Sequence, residues 1–414
     1  MKIAFPADDS QDSGRLRGLL VLAALMALAL LGGVALNAVI EPGGTNSYAL
    51  LAQSFLEGRF HSDTCFDGDC AVFDGRTYVM FPPFPALVAM PFVALFGVEF
   101  SGFVLLSALF TAAAAWLWWR ILSHLEVEQA TALWLVLALV FATPLYYVTL
   151  RGDGVWFFAQ TLAFLLVTAS IHQVVRGGSL VLAGVLIGLA FLCRQMSMFY
   201  LPFLFALALE RDEPLISFAR PHIARVLKLG LPVAVAVLAY MAYNYARFGG
   251  AMETGYQHMA SGGEWSMIDF RLDQSGLFSL DYLFFNAMYL FIQGFHLDFG
   301  GDAVLTPLGL DPAGTSLLAA SPFVLLALFA PMRRPVVIGI LCAIAIAAPT
   351  LVYHSNGFSQ YNVQRYVLDW LPILVYVLAL AVARRHRPSF AVLATYGIGL
   401  NLVTMALLVL LNSA

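Results

Sequence analysis

About eleven apolar runs, many close to 20 residues long, punctuate this chain, roughly at 16–40, 100–122, 130–149, 156–175, 179–193, 196–210, 227–246, 316–331, 335–352, 366–383 and 389–412. About 20 apolar residues are what a helix needs to cross the hydrocarbon core of a bilayer. Backbone N–H and C=O groups find no water there, so such runs must be helical. With 61% hydrophobic and 11% charged residues over 414 positions, the chain cannot hide its apolar surface in a water-soluble core. The expectation is an all-α polytopic membrane protein, one domain over 1–414. Its first run is longer than a signal-peptide core and has no clear small-residue cleavage site, so it reads as a retained anchor. The net charge of −4 is small and no basic block occurs, which sets nucleic-acid binding aside.

The segment 82–97 is apolar too. It holds Pro82, Pro83 and Pro85 at its start and Pro91 in its middle, and it is short for a span. We lay it along the interface. Charge supports that choice. With the N-terminus cytoplasmic, 14 of 21 basic residues fall in short inner loops, among them Arg333, Arg334, Arg384 and Arg385. That is the positive-inside pattern. Were 82–97 a span, every later loop would flip and those clusters would face outward.

The same topology puts 16 of 25 acidic residues outside, mostly in two large loops, 41–99 and 247–315. The polar chemistry is therefore expected on the extracytoplasmic side of an inner (plasma) membrane. The inner loops are too short for a nucleotide-binding domain, and no Walker-type phosphate loop is present. Cys65 and Cys70 lie five apart in the first outer loop. An oxidising compartment favours a disulfide between them. A metal site is the rival, but the nearest histidine, His61, gives no standard zinc spacing.

Several motifs then stand in order: YALLAQSFLEGRF at 48–60, DGRTYVMFPPFPALVAMPFVALFG at 74–97, ATPLYY at 142–147, NYARFGGAMETGY at 244–256, ASPFVLLAL at 320–328 and QRYVLDWLP at 364–372. Together they resemble GT-C membrane glycosyltransferases. The likeness is to the bacterial branch near protein mannosyltransferases and the aminoarabinose transferase of lipid A (glycosyltransferase family 39). The resemblance implies transfer of a sugar from a polyprenyl-phosphate donor to a glycan, lipid or protein acceptor on the outer face. It also implies an acidic general base in the first loop. Such chemistry suits the mouths of helices, where a lipid-borne head group sits. A leaving phosphate needs fixed donors, and an acceptor hydroxyl needs a carboxylate within hydrogen-bond reach.

Glu41 is the candidate base. It ends the first helix, which Pro42 stops, so its carboxylate belongs at the interface. The alternative is an ordinary boundary residue facing water. Relatives hold the acid three or four residues before the tyrosine, whereas Glu41 is seven before Tyr48 and Asn46 is nearer the expected place. Asp153, in RGDGVW, is the second catalytic candidate; its alternative is a local turn pair with Arg151. Arg365 is the candidate phosphate binder, since a guanidinium matches a pair of phosphate oxygens. Its alternative is pairing with Asp369, four residues on. Arg194 and Arg247 are further phosphate candidates, with snorkelling to head groups as the alternative. Tyr48, Asn46, Tyr78, Gln160 and Tyr366 are the substrate-binding candidates that the resemblance implies. The Glu-Lys pair that precedes Pro-Pro in the aminoarabinose branch is Met80-Phe81 here, so that lysine's phosphate contact is missing.

No cofactor is expected. His296, Asp298 and Asp302 offer a divalent-metal site, but glycine-rich loops often carry such acids. His258, His296 and His354 are scattered. Gly184 and Gly188 suit a close helix contact, and 284–295 suits a second interfacial helix. A transporter or flippase of a lipid-linked sugar would use the same arginines without a base. Against it stand the missing repeat halves and the few charges within the spans.

Overall fold

The computed structural model describes residues 46–66, 70–259, 267–357, 360–383 and 387–412. The first apolar run and Glu41 lie outside the described residues.

The first described element is helix α1, Ser47–Leu56, which Asn46 caps by accepting from the Tyr48 amide. A two-stranded hairpin follows, β1 (Cys70–Phe73) and β2 (Arg76–Val79), with Phe73 opposite Arg76. Its two-residue turn is Asp74-Gly75, both at positive φ (48° and 69°). This is the turn whose twist matches paired strands. A disulfide joins Cys65 to Cys70, with Cα atoms 6.1 Å apart. Helix α2, Phe84–Phe96, starts directly after the two prolines. Its 13 residues are too few for a perpendicular span, in keeping with the interfacial placement.

Then come α3 (Phe103–His124), α4 (Gln129–Phe141), α5 (Pro144–Leu150), α6 (Val155–Val175) and α7 (Leu180–Phe191). A 3₁₀ turn, Gln195–Tyr200, leads into α8 (Leu201–Leu207), and α9 covers Arg220–Phe248. The second loop holds α10 (Met267–Ser275), α11 (Leu283–Ala287) and the hairpin β3 (Leu297–Gly300) with β4 (Thr306–Leu310). Last are α12 (Leu317–Ala320), a 3₁₀ stretch Pro322–Phe329, α13 (Arg334–Leu351), a 3₁₀ turn Arg365–Asp369, α14 (Leu371–Val382) and α15 (Arg387–Asn412).

The fold is thus that of an all-α polytopic membrane protein with two small hairpins. Among the described residues five helices (α3, α6, α9, α13 and α15) are long and apolar enough to span by themselves. A sixth span is available if α4 and α5, bent by 51°, count as one. Other runs expected as full spans are shorter helices or are broken. Run 196–210 is 3₁₀ turn plus α8, and run 316–331 is α12 plus a 3₁₀ stretch. Pro202 and Pro322 sit at these breaks, because proline removes a donor and fits only a first helical turn. The count of eleven therefore does not follow from helix length.

Breaks inside a bilayer need partners for freed carbonyls. At the α4–α5 bend, Ser321 Oγ donates to the Ala142 carbonyl (2.5 Å) and Asn401 Nδ2 to that of Phe141 (2.6 Å). The motifs ATPLYY and ASPFVLLAL thus meet at one bend. Helix α6 is the central strut; 83% of its spanning window is buried. Helices α7 and α9 approach closely at Gly184, where a Cβ would lie 2.5 Å from the Leu229 carbonyl oxygen.

Candidate functional site

The start of α1 and the loop before α6 are joined directly. Asn46 is fully buried, and its Nδ2 donates to the Asp153 carbonyl (2.8 Å). The short loop Arg151–Gly154 is held tightly, since a Cβ on Gly152 would meet Ser107 Oγ at 2.3 Å. Asp153 lies 3.8 Å from Arg151 Nε, both side chains being buried. The Arg151 guanidinium also sits over the Phe157 ring at 4.9 Å. The local turn pair expected as the alternative role of Asp153 is therefore present.

Arg365 approaches the same ring from the distant 3₁₀ turn. Its guanidinium carbon is 5.0 Å from the Phe157 centroid and 5.6 Å from that of Trp156. Arg365 is buried and donates through Nε to the Gly357 carbonyl (2.8 Å) and through Nη1 to Gln160 Oε1 (3.3 Å). Gln160 answers through Nε2 to the Arg365 carbonyl (3.1 Å). Gly357 has φ +101°, and a Cβ there would crowd Arg365 Nε at 3.1 Å, so glycine is needed.

Arg365 does not take Asp369 as its partner. Asp369 instead binds Arg194 on both oxygens, Nε to Oδ1 at 3.0 Å and Nη2 to Oδ2 at 2.5 Å. The physical reason is the backbone. Residues four apart share a face on an α-helix, but Arg365–Asp369 is 3₁₀, with three residues per turn. Arg194 in turn lies 5.5 Å from the Tyr366 ring, and Arg365 lies 5.1 Å from it. Arg194 is thus ion-paired and does not simply snorkel.

These contacts close a circuit. Tyr48 packs on Phe81 (6.3 Å) and Phe158 (6.2 Å), and Phe81 on Trp156 (6.3 Å). Trp156 leads to Arg365, Tyr366 and Arg194. Arg194 bears on Tyr48 through its charge. Burial pushes the Tyr48 hydroxyl well above its ordinary value, Cys193 adds to this, and the Arg194 charge opposes it. Asn46, Tyr48, Asp153, Gln160, Arg194, Arg365 and Tyr366 therefore gather at one end of the bundle.

Two candidates sit apart from that circuit. Tyr78 is buried on β2 against Phe248 (5.2 Å) and His61 (6.2 Å). Arg247, 3% exposed, donates to the Val79 carbonyl (2.9 Å) and Asn244 Oδ1 (2.7 Å), under the Tyr243 ring at 3.9 Å. It braces the first hairpin against α9. Glu41 lies outside the described residues, five positions before Asn46.

Trp156, Phe157 and Phe81 were not singled out from the sequence as site residues. Their only signal was position, next to Asp153 and Pro82. Among the described residues no three of His, Cys, Asp and Glu group closely enough to hold a metal. His296 and Asp298 form an exposed pair at 3.0 Å. A cavity of about 410 Å³, lined by Ser179, Arg225 and Lys228 among others, opens at the opposite ends of α6 and α7 and shares none of these site residues.

A family model described as dolichyl-phosphate-mannose-protein mannosyltransferase matches residues 81–240. No curated protein matches the chain. Among solved structures, ArnT from Cupriavidus metallidurans bound to undecaprenyl phosphate aligns with 95% of this chain and 77% of its own, at 16% identity and a TM-score of 0.51. The apo state of ArnT from the same organism covers 92% and 62%, again at 16% identity and 0.51. At that identity the likeness establishes the fold. The family match and the fold both bear out the resemblance to GT-C glycosyltransferases.

Proposed function

We propose that this GT-C-like membrane protein moves a sugar from a polyprenyl-phosphate-linked donor to an acceptor on the extracytoplasmic face of the inner membrane. The observation that carries the reading is the junction at Asn46. It ties the start of α1 to the Asp153 loop, within one aromatic wall of the buried Arg365. The solved ArnT that shares the fold was crystallised with undecaprenyl phosphate, which favours that lipid class for the donor.

The chemistry would run as follows. The donor's phosphate lies against Arg365 and Arg194, with Tyr366 between them in the chain of contacts. Burial strengthens such charge-assisted bonds, and they are in place before charge develops on the leaving group. The acceptor oxygen bonds to the anomeric carbon, and its proton passes to the Glu41 carboxylate. The bond from that carbon to the phosphate oxygen breaks, and polyprenyl phosphate leaves with the electron pair. Glu41 is five positions from Asn46, which keeps the base within about 17 Å of that anchor. Asp153 stays close to the acceptor side through its carbonyl. Arg247 is left out of the donor site, since it lies apart from Arg365 and Arg194 and braces β2.

The test is release of undecaprenyl phosphate from an undecaprenyl-phosphate sugar by purified protein supplied with membrane acceptors. Glu41→Gln should lower the rate by about 10²–10⁴-fold, the usual worth of a general base, with an unchanged unfolding temperature. A fully active Glu41→Gln protein removes the base assignment. Lipid movement without release would instead make the protein a flippase.

A further inference from the structure

The pair Arg194–Asp369 joins positions 175 residues apart. A guanidinium has two edges that accept a bidentate anion. Asp369 takes the edge made by Nε and Nη2, at 3.0 and 2.5 Å. The other edge, Nη1 with the second hydrogen of Nη2, has no hydrogen-bond partner among the described residues. The Arg194 side chain keeps 23% of its surface open, whereas the Asp369 side chain keeps 6%. The carboxylate is thus the more deeply buried partner, and the guanidinium the more open one.

Both main chains beneath the pair are fixed. The Arg194 amide donates to the Ala190 carbonyl (2.8 Å), and its own carbonyl accepts from Ser197 (3.0 Å). The Tyr200 hydroxyl donates to the Asp369 carbonyl (2.9 Å). The Tyr366 ring lies 5.5 Å from the Arg194 guanidinium and 5.1 Å from that of Arg365. Arg194 is therefore a cation held at a set angle, next to the deeper Arg365, with one anion-binding edge unspent.

We propose that Asp369 is a positioning residue that turns the open edge of Arg194 toward the phosphate of the polyprenyl donor. The inference rests on the proposed donor class and adds a residue to it. Asp369 does not touch the donor; it fixes the rotamer of the residue that does. A neutral holder would leave the long Arg194 side chain free to sample other rotamers, and ordering it would then weaken donor binding. The carboxylate also limits the number of uncompensated charges at this buried end.

The experiment measures undecaprenyl-phosphate binding and transfer kinetics for four proteins: wild type, Asp369→Asn, Asp369→Glu and the swap Arg194→Asp with Asp369→Arg. For Asp369→Asn the donor KM and the undecaprenyl-phosphate Kd should rise about tenfold, with kcat within about twofold, the size expected when a rotamer-rich side chain must be ordered on binding. Asp369→Glu should recover part of the affinity. The swap keeps an ion pair and so the unfolding temperature, but it moves the cation to position 369, and donor affinity should stay low. Equal Kd for wild type and Asp369→Asn overturns the inference, as does a swap that restores both stability and affinity; either makes the pair a brace alone. Wild-type protein that binds no undecaprenyl phosphate overturns the functional reading beneath it as well. Should Asp369→Asn fail to fold, the Kd of the swap protein decides.

Discussion

The hairpins of the two large loops sit in opposite ways. In the first, residues 78–81 are pressed into the bundle: Tyr78, Val79, Met80 and Phe81 are buried, and Arg247 on α9 donates to the Val79 carbonyl. In the second, the β3–β4 hairpin stands out, with Phe299, Val304, Leu305 and Leu308 exposed and β3 broken in register after Asp298. Both loops carry acids, glycines and aromatics, and composition alone does not separate them. What separates the two hairpins is whether the rest of the fold covers them and takes up their backbone groups. The Val79 carbonyl of the first hairpin is taken up by Arg247 of α9. His296 and Asp298 are spent on each other.

The largest expected effect should fall on the buried loop. Phe81→Ala removes a ring that packs on both Tyr48 and Trp156. It should cost about 3–5 kcal/mol in denaturant unfolding of the detergent-solubilised protein. Leu305→Ala, at a position 78% exposed, should change stability by no more than about 0.5 kcal/mol. Equal effects at the two positions would erase the contrast.

A second test uses pH. His354 is 4% exposed, neither ring nitrogen has a hydrogen-bond partner among the described residues, and it lies on Tyr353 at 4.3 Å. Burial, then the Arg271 charge, pushes its imidazole down to about 4. The unfolded chain then binds a proton that the folded chain refuses. The stability His354 contributes is present above its ordinary value near 6.5 and is lost as pH falls toward 4, by up to roughly 3 kcal/mol. His354→Gln should flatten that slope, and an unchanged slope would contradict the assignment. The smallest effect concerns the disulfide. Replacing Cys65 and Cys70 by serine opens a short loop and should cost roughly 2 kcal/mol of unfolding free energy, while transfer at saturating donor persists.

The sequence disclosed the fold class because apolar run length reports membrane residence directly. Asn46, Asp153, Gln160, Arg194, Arg365 and Tyr366, picked out separately along the chain, lie together in the fold. The sequence did not disclose the partner of Asp369. That depended on residues 365–369 winding as 3₁₀ helix, and hydropathy does not distinguish 3₁₀ from α. The same blindness affects 196–210 and 316–331, where proline-led breaks lie inside continuous apolar text. Arg247 was expected as a further anion binder. In the structure its Nη1 donates to the Val79 carbonyl, 168 residues away, and its Nη2 to Asn244 Oδ1, contacts that no local sequence pattern announces.

The central claim is that the start of α1 and the turn Arg365–Asp369 face one donor head group. Photolabelling with a photoreactive undecaprenyl-phosphate analogue, read by peptide mass spectrometry, tests it most directly. Labels are predicted on peptides from both 46–56 and 364–370, each displaced by excess undecaprenyl phosphate. Labelling confined to one of the two, or found instead on the hairpin 297–310, would contradict the account.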